Sequence, residues 1–247
     1  MLVMPGGDPG VPVTGQILDL RTHRLTRIPL QDPTLNLVPQ AWSPDGTRIA
    51  FEGWDDTDPA RTGVYTARAS DGGDLRRVTT RHGAAHDIPL DYSPDGRRLV
   101  VFRATHGDEN GDLDGSLWVV GIDGAGAHRV TATTAPPAPW VRWSPDGSRI
   151  LFATERLRPN GAVWTVRPDG TGARILFRDP AGRHPVSPTW TADGRHIIVA
   201  LDPTDDEFQH PENALYLLDA DGSGLRLLLG SHDVKRYPEI VPPGGHP

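Results

Sequence analysis

The stretch Trp42–Phe51, WSPDGTRIAF, decides the fold because it recurs along the chain. Later copies read YSPDGRRLVVF from Tyr92, WSPDGSRILF from Trp143 and WTADGRHIIV from Trp190. Their aromatic residues are 50, 51 and 47 residues apart. A period near 50 is typical of architectures that stack one small unit many times.

Each copy contains the signals for four strands. In Ser-Pro-Asp-Gly, Pro fixes φ for a tight turn, Asp bonds nearby N–H groups and Gly accepts positive φ. An apolar run, a variable loop, an alternating run and an Asp-Gly hairpin turn follow. The hairpin turns start at Asp71, Asp123, Asp169 and Asp221. We expect one propeller blade per copy, with the aromatic residue that opens each copy packed between blades.

The two ends of the chain supply a further unit. The C-terminal YPEIVPPGG resembles the start of a copy, and residues 1–30 align with the strands that follow: LVM with IAF, GQILDLR with GVYTARA, RLTRI with LRRVT. We predict an all-β chain, a β-propeller of five four-stranded blades whose last blade is closed by both termini, which removes open sheet edges. The alternative is six blades, with residues beyond these 247.

The predicted propeller is a single domain over residues 1–247. Its parts are blade A (37–80), blade B (87–132), blade C (139–178), blade D (186–230) and a closing blade (1–30 plus 236–245).

Composition excludes several classes of function. The formal net charge is −7 and Lys and Arg form no stripe, which disfavours a nucleic-acid partner. With no cysteine, the chain has no disulfide, thiolate nucleophile or cysteine zinc site. No basic start precedes a long apolar run, so we expect no signal peptide in these residues and no membrane insertion. We expect a monomer.

The four aromatic-Ser/Thr-Pro/Ala-Asp-Gly copies, with VRPDGTGARIL and LLDADGSGLRLLL further on, resemble TolB-type (WD40-like) β-propeller repeats over essentially the whole chain. The resemblance implies a bacterial protein of the periplasm or cell envelope, or a secreted one, that binds protein partners. The additional N-terminal α/β domain of TolB has no counterpart here. Similar propellers gate prolyl oligopeptidase-like peptidases, but this chain has no Gly-x-Ser-x-Gly nucleophile elbow.

The loops between second and third strands are long and differ from blade to blade, so functional residues are expected on the end of the propeller that carries them, the loop face. Three loops are acidic, which would attract a cation or a basic partner. The acidic residues are Asp55, Asp56 and Asp58; Asp108, Glu109, Asp112 and Asp114; and Asp202, Asp205, Asp206, Glu207 and Glu212. The alternative is that they are solvated loop charges.

One of these loops is a candidate Ca²⁺ site. Residues 110–115, NGDLDG, match the first half of a calcium-binding loop. Candidate ligands are Asp108, Asn110, Asp112 and Asp114. The usual Glu at position 12 is replaced by Gly121, and an Asn/Asp/Gly-rich surface loop is the alternative.

The crossovers between blades hold a second candidate site. Six residues before each signature position lie Asn36, His86, Pro137, His184 and Lys235. With Asp87, His232 and Glu239 nearby, these groups could converge at the channel mouth to bind a ligand or a metal or to transfer protons. Capping of loop carbonyls is the alternative for the histidines. Asp91 and Arg142 are expected to pair across neighbouring blades, with a clamp on a substrate carboxylate as the alternative role of Arg142.

The sequence favours a non-catalytic binding module that recognises a protein, peptide or glycan on its loop face. The first alternative is a small metal-assisted hydrolase or lyase that uses His86 and His184. The second is a regulatory or structural propeller severed from a larger protein.

Overall fold

The computed structural model describes residues 2–3, 12–29, 32–80, 86–107, 113–131, 137–154, 161–202 and 214–230. The secondary structure in these ranges is β-strand apart from one 3₁₀ turn at Pro59–Arg61. None of the described segments forms a helix long and apolar enough to cross a membrane.

The strands in the described ranges form five sheets. The closing sheet contains β1 (Leu2–Val3), β2 (Gln16–Leu18) and β3 (Leu25–Arg27). Blade A contains β4 (Asn36–Trp42), β5 (Arg48–Trp54), β6 (Gly63–Arg68) and β7 (Arg76–Arg77). Blade B contains β8 (His86–Tyr92), β9 (Arg98–Gly107), β10 (Leu113–Gly121) and β11 (His128–Arg129). Blade C contains β12 (Pro137–Trp143), β13 (Ile150–Thr154), β14 (Val163–Val166) and β15 (Arg174–Phe177), and blade D contains β16 (His184–Trp190), β17 (His196–Asp202), β18 (Ala214–Asp219) and β19 (Arg226–Leu229).

Within each sheet, strands that follow one another in the chain lie side by side, which is the meander expected of a propeller blade. Blades A to D have four strands each, and the closing sheet has three in the described ranges. The five sheets are consistent with five blades. The fourth strand predicted for the closing blade, in residues 236–245, lies outside the described residues.

The first strand of each blade begins one or two residues before the predicted blade boundary. These strands start at Asn36, His86, Pro137 and His184. Four of the residues predicted to lie in crossovers are therefore the first residues of the first strands, and sheet hydrogen bonding fixes their backbone.

The first turn of each blade is held by its own side chains. In blade A the Ser43 hydroxyl donates to Asp45 Oδ1 (2.6 Å), and Arg48 N–H donates to Ser43 Oγ (2.9 Å). Gly46 has a φ of 68°, which only glycine adopts without strain. Equivalent bonds form around Asp95, Asp146 and Asp193. The hydroxyl donor is the main reason that the pKa of each of these four aspartates is lowered.

Three of the four signature aromatic residues, Tyr92, Trp190 and Trp42, pack between neighbouring sheets, as predicted. Tyr92 of blade B lies in a buried cluster with Ala50 and Val64 of blade A. Trp190 of blade D packs with Leu151 of blade C. Trp42 packs on the cluster that contains Ile28, at the end of the closing sheet. Such burial of large side chains is the main stabilising contribution available to small sheets.

The chain divides into two compact units between His128 and Arg129. The first contains the closing sheet with blades A and B, and the second contains blades C and D. In the first unit, Leu37 N–H donates to the carbonyl of Val13 (2.8 Å) and Thr14 forms a parallel bridge with Leu37, which joins the N-terminal segment to blade A.

Candidate functional site

The connection from β5 to β6, residues 55–62, is the part of the predicted loop face that the structure describes most fully, and we call it the rim loop. Asp55 Oδ1 accepts from Thr57 N–H (2.9 Å), from the Thr57 hydroxyl (2.7 Å) and from Asp58 N–H (3.2 Å). Asp58 in turn accepts from Ala60 N–H (3.0 Å) and caps the 3₁₀ turn. Two of the three predicted acidic residues therefore shape the loop itself.

Arg61 ties the rim loop to the segment before blade A. Its guanidinium donates to Asp55 Oδ2 (2.8 Å), to the Thr34 hydroxyl (2.7 Å) and to Asp32. Backbone N–H donors from Thr57 and Thr34 are the largest causes that lower the pKa values of Asp55 and Asp32, with Arg61 adding to the effect for Asp32. Both carboxylates are thus ionised and bonded within the protein at neutral pH.

The third acidic residue of the loop, Asp56, accepts from Trp54 Nε1 (3.1 Å) and from the Asn36 side-chain amide (3.2 Å). Asn36 Oδ1 also accepts from Val13 N–H (2.8 Å), and the residue is 4% exposed. Through these contacts Asn36 joins the N-terminal segment, blade A and the rim loop, which is a structural role.

His86 lies next to a carboxylate that was not predicted. His86 Nε2 is 3.7 Å from Glu52 Oε1, and both side chains are partly exposed. Glu52 comes from β5 of blade A and His86 begins β8 of blade B. Burial disfavours the carboxylate and raises the pKa of Glu52 to about 7. A carboxyl group that titrates near neutral pH beside an imidazole can exchange a proton under physiological conditions.

Asp87 is paired with an arginine. It is 3% exposed, and its two oxygens accept from Arg103 Nε (2.7 Å) and Nη2 (2.9 Å). The Arg103 guanidinium also lies 4.1 Å from the Trp118 ring centroid, a cation–π contact. A bidentate pair stacked on an aromatic ring holds all three side chains in place.

The connection between β15 and β16 contains a similar arrangement just before His184. Asp179 accepts from Arg183 Nε (2.8 Å), and the Arg183 guanidinium lies 4.6 Å from the Tyr216 ring centroid. His184 itself is 8% exposed. The histidine that the sequence offered as a ligand is therefore largely buried in this unit.

Asp91 and Arg142 make local contacts. Asp91 accepts from Tyr92 N–H (3.0 Å), and Arg142 donates to the carbonyl of Val141 (3.1 Å). They belong to different compact units, and the ion pair expected between them stays a prediction.

The remaining predicted site residues fall outside the described side chains. They are Asp108, Asn110, Asp112, His232, Lys235 and Glu239, and the side chain of Asp114, whose backbone lies in β10. Among the side chains that the structure describes, no cluster of three or more His, Asp or Glu could hold a metal ion. The Ca²⁺ site stays a prediction.

Solved structures with this arrangement of sheets include TolB from Agrobacterium tumefaciens, with a TM-score of 0.60 and 22% identity over 94% of this chain and 83% of that chain. TolB from Acinetobacter baumannii gives 0.64 and 18%, over 89% of this chain and 49% of that one. The fold is a TolB-type β-propeller. An oligogalacturonate lyase from Vibrio parahaemolyticus shares it, with a TM-score of 0.62 and 15% identity over 92% of this chain and 63% of the lyase.

Sequence comparisons add little to the propeller assignment. No family model matches the chain. The uncharacterized peptidase YuxL of Bacillus subtilis is 27% identical over 114 residues, which are 44% of this chain and 16% of that protein. The chain therefore matches less than a fifth of the length of this relative.

Three residues that form ion pairs in and beside the candidate site were not identified from the sequence. They are Glu52, Arg61 and Arg103. Glu52 and Arg103 interrupt the apolar runs IAFEGW and VVFRAT. A charged residue inside a strand expected to be buried needs a partner or a shifted pKa, and this signal could have found them. Arg61 sits in a polar loop and gave no comparable signal.

Proposed function

We propose that this chain is a binding module that recognises a protein, a peptide or a glycan on the loop face of its propeller. A location in the cell envelope belongs to the same proposal, because the resemblance to TolB-type repeats implies it.

The observation that carries the proposal is the rigid rim loop. Arg61 and the capping aspartates hold it in one conformation, while Thr57, Asp58 and Pro59 are exposed to solvent. A surface whose loops are already ordered loses less conformational entropy when a partner binds. This arrangement suits recognition of an extended ligand.

Variation among the loops supports the same proposal. The first turns are nearly identical in all four blades, whereas the second-to-third connections differ in length and sequence. In scaffold proteins, specificity resides in loops that vary over a constant framework.

The absence of cysteine allows a direct test, because a single introduced cysteine can carry a bulky polyethylene-glycol maleimide. Thr57 and Thr47 are exposed and occupy opposite ends of β5. Each donates its N–H and hydroxyl to the aspartate two residues earlier, at 2.9 and 2.7 Å for Thr57 and at 3.0 and 2.9 Å for Thr47. Thr57→Cys and Thr47→Cys are therefore matched variants.

Ligands would be selected with a random-peptide phage library and a glycan microarray, and tested again on both modified variants. We expect the polymer at position 57 to abolish binding and the polymer at position 47 to leave it intact. Binding lost only with the polymer at position 47, or no enrichment of any peptide or glycan, would overturn the proposal.

A second candidate is a hydrolase or lyase, favoured by the contact between Glu52 and His86 (3.7 Å) and by the pKa of Glu52 near 7. A carboxyl group with this pKa has the protonation behaviour of a general acid or base. The test is turnover of polygalacturonate and of a peptide library, with and without added Mn²⁺, by the wild type and by His86→Gln. Activity lost in His86→Gln would support this candidate, and no turnover under either condition would exclude these substrates.

A further inference from the structure

A cleft of about 260 Å³ lies between blades A and B at the end of the sheets that carries the first turns. Its walls come from the first turn of blade A, the first turn of blade B and the last residue before a hairpin turn. The lining residues used below are Pro44, Asp45, Arg48, Tyr92, Asp95 and Ile122. This volume is below that of a pocket for a drug-sized molecule and suits one side chain.

The cleft lies where the repeat departs from its own pattern. At the signature position three copies carry tryptophan, and blade B carries Tyr92. A phenol ring is smaller than an indole, so space is left between the two turns. Tyr92 is 4% exposed, and among the described residues its hydroxyl has no hydrogen-bond partner.

An unpaired buried hydroxyl is costly, and a polar group that enters the base of the cleft would relieve this cost. Tyr92 lines the cleft together with the charged residues Arg48 and Asp45, whereas Pro44 and Ile122 provide apolar surface.

The charges at the cleft favour a cation. In the described residues, every hydrogen bond to Asp45 or Asp95 is accepted by Oδ1, which leaves Oδ2 of each as an acceptor. Donors from Ser43 and Ser93 lower the pKa values of these two carboxyl groups, so both are charged at neutral pH.

The one guanidinium among the residues that line the cleft is already neutralised. Arg48 Nη1 lies 2.8 Å from Asp74 Oδ2, and Nη2 donates to the carbonyls of Asp74 (2.8 Å) and Thr66 (3.2 Å). Its donors are therefore not available to an anion. Arg97 and Arg98 act on Asp95 from outside the lining, so the other charged groups that line the cleft are the carboxylates of Asp45 and Asp95.

We propose that this cleft binds an arginine side chain presented by a protein partner. The aliphatic part of the side chain packs against Pro44 and Ile122, and the guanidinium faces the carboxylates of Asp45 and Asp95. Its several N–H donors match two carboxylates and a phenol oxygen better than a single ammonium group does. The site is separate from the loop face and independent of the proposed function.

The probe for this test is Nα-acetyl-L-arginine amide, titrated into ¹⁵N-labelled protein and followed by NMR. The control probe is Nα-acetyl-L-citrulline amide, which has nearly the same shape without the charge. We expect the arginine probe to shift amides of residues 43–48 and 92–98, and the citrulline probe to bind at least about tenfold more weakly, since charge-assisted bonds are the stronger ones.

Variants test the geometry. Tyr92→Trp places in blade B the residue that the other three copies use, so we expect a folded protein whose melting temperature is not lowered and whose response to the arginine probe is lost. Asp95→Asn should weaken binding about three- to tenfold. Asp169→Asn, in a hairpin turn of blade C, is the matched control and should leave binding unchanged.

Three outcomes would overturn the proposal. They are no titration with the arginine probe, equal binding of the citrulline probe, and unchanged binding in Tyr92→Trp. If the arginine probe does not bind and Tyr92→Phe has a higher melting temperature than the wild type, the Tyr92 hydroxyl is only an unsatisfied buried group. The cleft then binds no arginine side chain.

Discussion

Four carboxylate side chains of the described residues differ in the partner that they meet. Asp87, Asp55 and Asp179 each face an arginine at 2.7 to 2.8 Å. Glu52 has an imidazole at 3.7 Å instead, and its pKa is raised to about 7. The Arg183 guanidinium is the largest cause that lowers the pKa of Asp179, whereas burial is the cause that raises the pKa of Glu52. An arginine is a permanent cation that compensates desolvation at every pH, and a histidine does so only when it is protonated.

Glu52→Gln is expected to stabilise the protein at alkaline pH. Because the folded-state pKa of Glu52 is raised from 4.5 to about 7, the folded chain holds the proton more tightly than the unfolded chain. The wild type therefore loses stability as pH rises through this window, and glutamine does not titrate. Urea unfolding should show Glu52→Gln more stable than the wild type by about 1–3 kcal/mol near pH 8, with the difference shrinking toward pH 4.5.

The His86→Gln background serves as the control for this experiment. If burial is the cause, the pH-dependent difference between Glu and Gln at position 52 persists without the imidazole. A difference that does not change with pH would show that the carboxyl group is not held in its neutral form.

At the scale of single elements, the rim loop is a short connection whose conformation is stabilised by residues distant in sequence. Arg61 bonds to Asp32, 29 residues earlier in the chain, and Arg77 donates to the carbonyls of Ala60 (2.7 Å) and Thr62 (2.6 Å). Tyr65 also donates to the carbonyl of Arg61 (2.6 Å). The conformation of the loop therefore depends on neighbours from both sides of it.

Arg61→Met should loosen this loop without unfolding blade A. Loss of the bonds to Asp32 and Asp55 removes its main attachment, so we expect amide exchange in residues 55–62 to become roughly tenfold faster. Mass spectrometry of exchanged peptides measures this.

Arg68→Met is the matched control, because Arg68 forms an exposed pair with Asp71 (2.7 Å) at the other end of β6. Exposed pairs contribute little, so exchange should stay the same. Equal exchange in the wild type and in Arg61→Met would mean that the backbone bonds of Asp55 hold the loop by themselves.

The turns could be predicted from the sequence and the rim contacts could not. Ser43, Asp45 and Gly46 act within one turn, so their interactions can be predicted from the six consecutive residues 43–48. Arg103 meets Trp118 only because β9 and β10 pair with Val101 opposite Trp118. Such contacts depend on register and on which face of a strand is buried, and neither follows from a loop's composition.

At the scale of the molecule, the number of sheets followed from the repeat, and the candidate sites followed only in part. The alignment of residues 1–30 placed three strands correctly, at β1, β2 and β3. Asn36 and Asp87, offered as binding residues, are used in internal hydrogen bonds. Residues at equivalent positions of the repeat have equivalent backbone positions in their blades. Their side chains differ in role because the neighbouring loops differ.

Removal of residues 236–247 tests the predicted closure of the propeller. The sequence places the missing first strand of the closing blade there, next to β1. We expect the truncated protein to melt at least about 5 °C lower, and amides of β1 and β2 to exchange faster, because a sheet edge would be left unpaired. Removal of residues 246–247 alone is the control, and an unchanged melting temperature in the longer truncation would contradict closure by this segment.

The self-contained first turns have a consequence for how such a protein can change over generations. In each turn the hydrogen bonds of the first hydroxyl residue and of the aspartate stay within six consecutive residues, as from Ser43 to Arg48. A duplicated gene segment of about one repeat would carry a complete turn with it and need no compensating mutation elsewhere. Blade number can therefore vary among descendants while the first turns keep their structure.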